Sequence, residues 1–238
     1  MQLRLPWSSP ATRSPPAAPS VVVDGRTFAI RIARHRRARR YVLRLTTDGA
    51  LRLTVPRGSS IAGGVRFTER QSDWIAREWR RQQESAAPWT TGTTLWMRGE
   101  RIALEVHADR IVYGGDVIRR PRGADVREVV EGHWRDLASD ELVPRTVELA
   151  GACRVSISRV SVRNQRSRWG ACSARGVITL NWRLIQMPAS VSDYVIFHEL
   201  MHRRQPNHSR KFWREVESVC AGWREAERWL RKHGREVF

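Results

Sequence analysis

The sequence predicts an α+β fold: a strand-rich N-terminal part with one helix, followed by a helical part built around a small β-sheet. Three observations lead there. Apolar and polar residues alternate between Phe28 and Val55, the period of half-buried strands. From Ala124 the apolar period lengthens to that of a helix. A His-Glu-x-x-His motif at 198–202 then follows the apolar run Tyr194-Val195-Ile196-Phe197, which buries the helix that carries it.

In chain order, Phe28-Ile30-Ile32, Tyr41-Leu43-Leu45 and Leu51-Leu53-Val55 predict three strands, the last two joined through the turn signal Asp48-Gly49. A helix is expected over Ile61 to Gln83 with Trp74, Ile75 and Trp79 inward, its start weakened by Gly63-Gly64. Leu95–Met97 and Ile102–Val106 flank Arg98-Gly99-Glu100 as a hairpin, which a strand at Arg110 to Tyr113 would extend. Val126, Val130, Trp134 and Leu137 predict a helix to about Ala150, kinked at Pro144. Strands follow at about Val155–Arg163 and Val177–Trp182. Ser190 and Asp193 form a helix-start signal, Ser209 caps a helix to about Cys220, and Trp223, Ala226 and Leu230 trace a last amphipathic one. Three regions result: a disordered Pro-rich tail at 1–20, a β-rich region at 21–122, and a region at 123–238 that carries the His-rich motif.

With 238 residues, 41 % of them hydrophobic and 11 Trp, the chain can bury a real core. No run of 18 apolar residues spans a membrane, and Met1–Pro6 lacks the apolar stretch of a signal peptide, so a cytoplasmic protein is expected. Cys153, Cys172 and Cys220 are odd in number and scattered, which argues against a disulfide framework and leaves open an approach of Cys172 to the site. The net charge of +19 is almost entirely arginine, Lys211 and Lys232 being the only lysines. Such a skew follows from biased codon usage as readily as from phosphate binding. The densest run, Arg34 to Arg40, would take polyanions without sequence preference.

Chemistry concentrates in His198-Glu199-Leu200-Met201-His202 and the later His208. At 3.6 residues per turn, His198 and His202 share a helix face about 6 Å apart, so both imidazoles reach one ion. Glu199 is rotated about 100° away, placed to take a proton from water rather than to ligate. Pro206 ends the helix and turns the chain, which can return His208 to the same ion. Three neutral nitrogen donors leave a zinc ion an open position, the arrangement of metal-assisted amide hydrolysis. Arg168 and Asn181 are candidate oxyanion stabilisers, with a salt bridge or turn contact as the competing role for each. The strand from Val177 to Trp182 is the expected edge for an extended peptide.

The run Arg168-Trp169-Gly170-Ala171-Cys172-Ser173, then Leu180-Asn181-Trp182-Arg183-Leu184, then Asp193-Tyr194-Val195 leading into the motif, and Asn207-His208-Ser209 with Phe212-Trp213, resembles the YgjP-like metallopeptidase domain family. More distantly it is similar to WLM and SprT-type zincins. The likeness is dense over about 160 to 215 and extends less specifically to about 25–235. It implies a zincin-like C-terminal part, a zinc-dependent metallopeptidase with His198, His202 and His208 as metal ligands and Glu199 as the catalytic residue, acting on peptides or proteins. Ala171 stands where that family usually has Ser. Gln205 replaces the turn glycine of metzincins, whose His spacing is the same. Two other readings remain: a DNA-associated, SprT-like protease, and a non-catalytic basic nucleic-acid-binding module with a structural zinc.

Overall fold

A computed structural model describes residues 18–237. The tail expected over 1–20 lies outside the described residues except for its last three, and Ser20 already opens a strand. The chain divides into two compact units, Met1–Ala87 and Pro88–Phe238, each with its own core.

The first unit contains strands β1 (Ser20–Val23), β2 (Arg26–His35), β3 (Val42–Leu45) and β4 (Leu51–Pro56), in the order β1-β2-β4-β3. β2 and β4 run parallel, and the other pairs are antiparallel. Because successive side chains alternate in a strand, Phe28, Ile30, Leu51, Leu53 and Val55 all fall on one face, where they are buried with Ile75. Helices α1 (Ile61–Glu69) and α2 (Ser72–Ala86) supply the rest of that core. They replace the single helix expected over Ile61 to Gln83. The Arg70 N–H folds back onto the Arg66 and Thr68 carbonyls, which tightens the last turn, and Gln71 leaves helical geometry at φ −101°, ψ 19°. Gly64 earns its place at the start of α1, since a Cβ there would lie 2.8 Å from Leu53 Cδ2.

The second unit begins with the hairpin of β5 (Thr94–Met97) and β6 (Glu100–Ala103), followed by a small antiparallel sheet of β7 (Glu105–Val106), β8 (Arg110–Tyr113) and β9 (Asp116–Arg119). The sequence-based division after 122 is therefore displaced. Met97, Leu104, Ile111, Tyr113 and Ile118 are buried in one cluster with Val130, Trp134 and Ile196, so these strands belong with the helices that follow them. The long helix α3 (Val126–Ala152) starts at Asp125, whose carboxylate accepts from the Glu128 N–H at 3.0 Å, and carries Pro144 within it. Then come β10 (Arg159–Arg163), β11 (Gly170–Cys172) and β12 (Val177–Asn181), a 3-10 turn at Trp182–Gln186, and helices α4 (Ala189–Met201), α5 (Arg210–Val219) and α6 (Trp223–Val237). Among the described residues, no helix is long and apolar enough to cross a membrane.

Two devices fix α4. The β5–β6 turn takes Arg98 and Gly99 to φ 49° and 86°, and their N–H groups donate to the Ile185 and Gln186 carbonyls at 3.0 Å. A side chain at Gly99 would stand 2.6 Å from Cγ of Pro188, the residue that precedes α4. Further along, Asp193 accepts two hydrogen bonds from the Arg145 guanidinium of α3, at 3.0 and 2.6 Å. The helix does start where Ser190 and Asp193 signal it, but without their capping bond. No side chain caps α4, and Asp193 serves as a tie to α3.

Candidate active site

Helix α4 is buried nearly all round, with Val191, Tyr194, Val195, Ile196, Leu200 and Met201 in the core, so its last turn is held rigidly. His198 lies within that turn and His202 caps it. The Arg203, Arg204 and Gln205 N–H groups then bond back to Leu200 and Met201, and the chain reverses through Pro206. Asn207 Oδ1 accepts from the Ser209 N–H at 3.2 Å, and α5 begins beyond Ser209. Ser209 occupies the expected cap position, although its side chain makes no capping bond.

The reversal brings His208 back. Ligand atoms of His198, His202 and His208 all lie within 4.8 Å of one another, and Nε2 of His198 stands 3.0 Å from Nε2 of His208. Tetrahedral zinc with bonds of about 2.0–2.1 Å holds its donors about 3.3 Å apart, so the spacing fits one shared ion. No fourth His, Cys, Asp or Glu joins the three in this cluster among the described residues. The His202 Nδ1–H donates to the Gln205 carbonyl at 3.2 Å, which leaves Nε2 of the neutral ring with the free lone pair. Burial first, then His202 and His208, push the His198 imidazole down to about 4, and burial lowers His202 as well. At neutral pH both rings are unprotonated, the state a ligand needs.

Phe212, fully buried on α5, forms the floor. Its ring stacks on His202 with centroids 4.6 Å apart and meets His198 and His208 at 4.9 Å each. Trp213 closes the side at 5.9 Å from His198, stacked in turn on Trp223 at 4.7 Å. Two arginines directly after His202 pin the reversal. Arg203 donates to the Ser156 and Ala174 carbonyls, at 3.2 and 2.8 Å. Arg204 bonds the Cys153 carbonyl and pairs with Glu215 of α5 at 2.7 Å. Sequence reasoning assigned no role to Arg203 or Arg204. The readable signal was two consecutive arginines in a turn otherwise lacking an anchor.

Glu199 is 7 % exposed and packs against β11. A Cβ at Gly170 would lie 2.6 Å from Glu199 Cγ and 2.8 Å from Oε1, so only glycine fits beside this carboxylate. Burial pushes the Glu199 carboxyl up to about 7, against the pull of Arg168 and of the Cys172 backbone N–H, which favour the charged form. Cys172 does therefore come to the site, through its main chain. Its thiol is pushed up by burial, and all three cysteines are free.

Two further expectations change. Asn181 is fully buried and spent: its Nδ2 donates to the Gln165 and Arg168 carbonyls at 2.8 and 3.1 Å, and Oδ1 accepts from the Arg183 N–H. It braces the loop before β11 and has no donor left for an oxyanion. Arg168 is exposed and close enough to act on Glu199. The strand β12, expected as an edge, is the middle of β10-β12-β11, parallel to β10 and antiparallel to β11. The edge strand next to Glu199 is β11.

A crystal structure of the metallopeptidase zymogen of Pyrococcus abyssi abylysin matches at 27 % identity over 39 % of this chain and 92 % of that one, with a TM-score of 0.32. No curated protein matches this chain. The model of the YgjP-like metallopeptidase domain matches residues 39–233, the region that holds the three histidines and Glu199, and the chain belongs to that family.

Proposed function

We propose that the chain is a zinc-dependent peptidase of the zincin type in which His198, His202 and His208 hold the ion and Glu199 acts as general base. The observation that carries this reading is the convergence of three imidazoles beside a buried carboxylate, with no fourth protein ligand in the cluster among the described residues. An ion bound there supplies Lewis-acid chemistry, polarising a carbonyl and acidifying water. The residues do the remainder. The Gln205 carbonyl orients His202, and Phe212 with Trp213 keeps the imidazoles in an apolar surround. Gly170 leaves room for Glu199, whose Oε1 takes a proton from the attacking water and delivers it to the leaving nitrogen.

An extended substrate is best served by β11. The Asn181 N–H donates to Trp169 O and the Ser173 N–H to Val177 O, so in the antiparallel alternation Gly170 and Cys172 direct their main-chain groups away from β12. The polar groups of Gly170 and Cys172 then face the free edge, with Glu199 beside Gly170. Glu199→Gln tests the assignment. It keeps the shape and the metal, and peptide turnover should fall about 10²–10⁴-fold. Unchanged turnover with zinc still bound would remove Glu199 from the reaction.

A further inference from the structure

We infer that the exposed face of the first unit's sheet is a docking surface for the phosphate backbone of a nucleic-acid duplex. In the strand register Arg31 of β2 lies opposite Arg52 of β4, and Arg44 of β3 lies opposite the same Arg52. The three arginines form one row across neighbouring strands, all exposed, on the face away from Phe28, Ile30, Leu51 and Leu53. With strands about 4.8 Å apart the row is about 10 Å long. At the C-terminal end of the parallel pair, Arg34, His35, Arg36 and Arg57 line a cleft of about 310 Å³. Arg37, Arg39 and Arg40 continue the charge from there, all exposed.

Carboxylates are scarce here, as they are over residues 149–192, and what sets this face apart is the register that aligns its arginines across three strands. Codon bias exchanges lysine for arginine and leaves the placement of Asp and Glu untouched. Between Gly25 and Phe67 the sequence has a single acid, Asp48, which pairs with Arg31 at 2.6 Å. Among the described residues Arg34, Arg36, Arg37, Arg39, Arg40, Arg44, Arg52 and Arg57 form no ion pair. Like charges directly opposite in a sheet repel, so this arrangement costs stability until an anion lies across it. Each strand of a duplex carries one charge per about 3.4 Å of axis and so offers about three phosphates to the row.

The face also selects among polyanions. Phe28, Tyr41, Phe67, Trp74 and Trp79, the aromatic rings of residues 18–87, all belong to the helix-covered core. A single-strand binder needs outward rings on which bases stack, and a membrane binder needs an apolar belt beside its cations. The row has neither.

The test is the affinity of the full chain for a labelled duplex of about 20 base pairs, measured by fluorescence anisotropy as salt rises from about 50 to 200 mM. Binding should weaken by about two orders of magnitude or more over that range, as expected for four or more phosphate contacts. The triple substitution R31Q/R44Q/R52Q should lower affinity at least about tenfold and flatten the slope of log affinity against log salt by about 2.7. A matched triple in the second unit, R224Q/R228Q/R231Q, removes the same charge from arginines paired with Glu217, Glu225 and Glu227 and should leave binding nearly unchanged. A thermal melt at or above that of the parent confirms that the first triple folds. Equal losses in both triples would reduce the effect to net charge and overturn the inference. So would tighter binding to a single strand of the same length, or to phosphatidylserine vesicles, than to the duplex.

Discussion

In residues 18–87 an arginine row on the sheet and an arginine-rich run over 34–40 stand exposed with one carboxylate between them, whereas in residues 88–237 several arginines are matched by acids. Arg98 meets Glu141, Arg135 meets Glu131, Arg145 meets Asp193 and Glu148, and Arg204 meets Glu215. The same residue type thus does two jobs. In the second unit it fastens elements to one another, with two prongs in the case of Arg145; on the sheet of the first, Arg31 with its Asp48 partner apart, it is an unpaired charge on a pleated surface. The difference teaches that the net charge of +19 is not one property of the chain. Some of its arginines are locked in ion pairs that tie elements together and others stand exposed without acids, and the two kinds respond to substitution in opposite ways.

The sharpest contrast is steric. At Gly170 the framework has no spare volume, since any Cβ meets Glu199 within 2.6–2.9 Å. Gly170→Ala should shift the carboxylate by a few tenths of an ångström or more and lower peptide turnover by about 100-fold, the scale of a misplaced catalytic group. Zinc content should stay near that of the parent because no ligand is touched. A variant with full turnover would show that Glu199 tolerates displacement and would break the picture of a tightly set second unit.

Next in size is the reversal after His202. Arg204 holds the turn through the Cys153 carbonyl and Glu215, and the turn alone returns His208. Arg204→Gln should weaken zinc binding by about 10–100-fold, the range seen when supports of metal ligands are removed. Competition with a chromophoric chelator measures it. Arg57→Gln, an equal loss of charge in the first unit, should leave zinc affinity unchanged. If both variants hold zinc like the parent, Arg204 is an ordinary surface pair and the distinction between fastening and field arginines fails there.

How much of this was legible depended on whether the cause was local. The pairing of His198 with His202 follows from helix pitch, and the return of His208 from Pro206 ending α4, so the cluster of three histidines could be read from spacing. The alternation in β2, β3 and β4 was equally local. What packs beside what was not. The three-residue strand β11 is too short to show a period, so the open edge was assigned to its longer neighbour β12. For Asn181 the sequence left an oxyanion role and a turn contact open, and only the fold selects the second, through the Gln165 and Arg168 carbonyls that the loop would otherwise leave unbonded. The unit boundary was misplaced because β5 to β9 alternate just as β2 to β4 do. Only burial against Val130 and Trp134 assigns them to the second unit. The break between α1 and α2 had no Gly or Pro to mark it.

The smallest expected effect has the opposite sign from the others. Arg52 sits between Arg31 and Arg44 with its guanidinium exposed and no carboxylate partner, while Asp48 is already engaged by Arg31. Exchanging it for threonine removes two like-charge neighbours from a strand position and installs a β-branched residue suited to it. Arg52→Thr should therefore stabilise the chain by about 0.5 kcal/mol, read as a higher melting temperature at low ionic strength. The gain must shrink as salt rises, because neighbours about 5 Å apart on an exposed face are screened once the Debye length falls toward about 3 Å near 1 M. Arg145→Gln, by contrast, should destabilise at every salt concentration, since it removes a two-pronged bond between α3 and α4. A salt-independent gain at Arg52 would mean that strand propensity alone is responsible. The row would then be electrostatically idle, and the contrast between the two units would rest on the paired arginines alone.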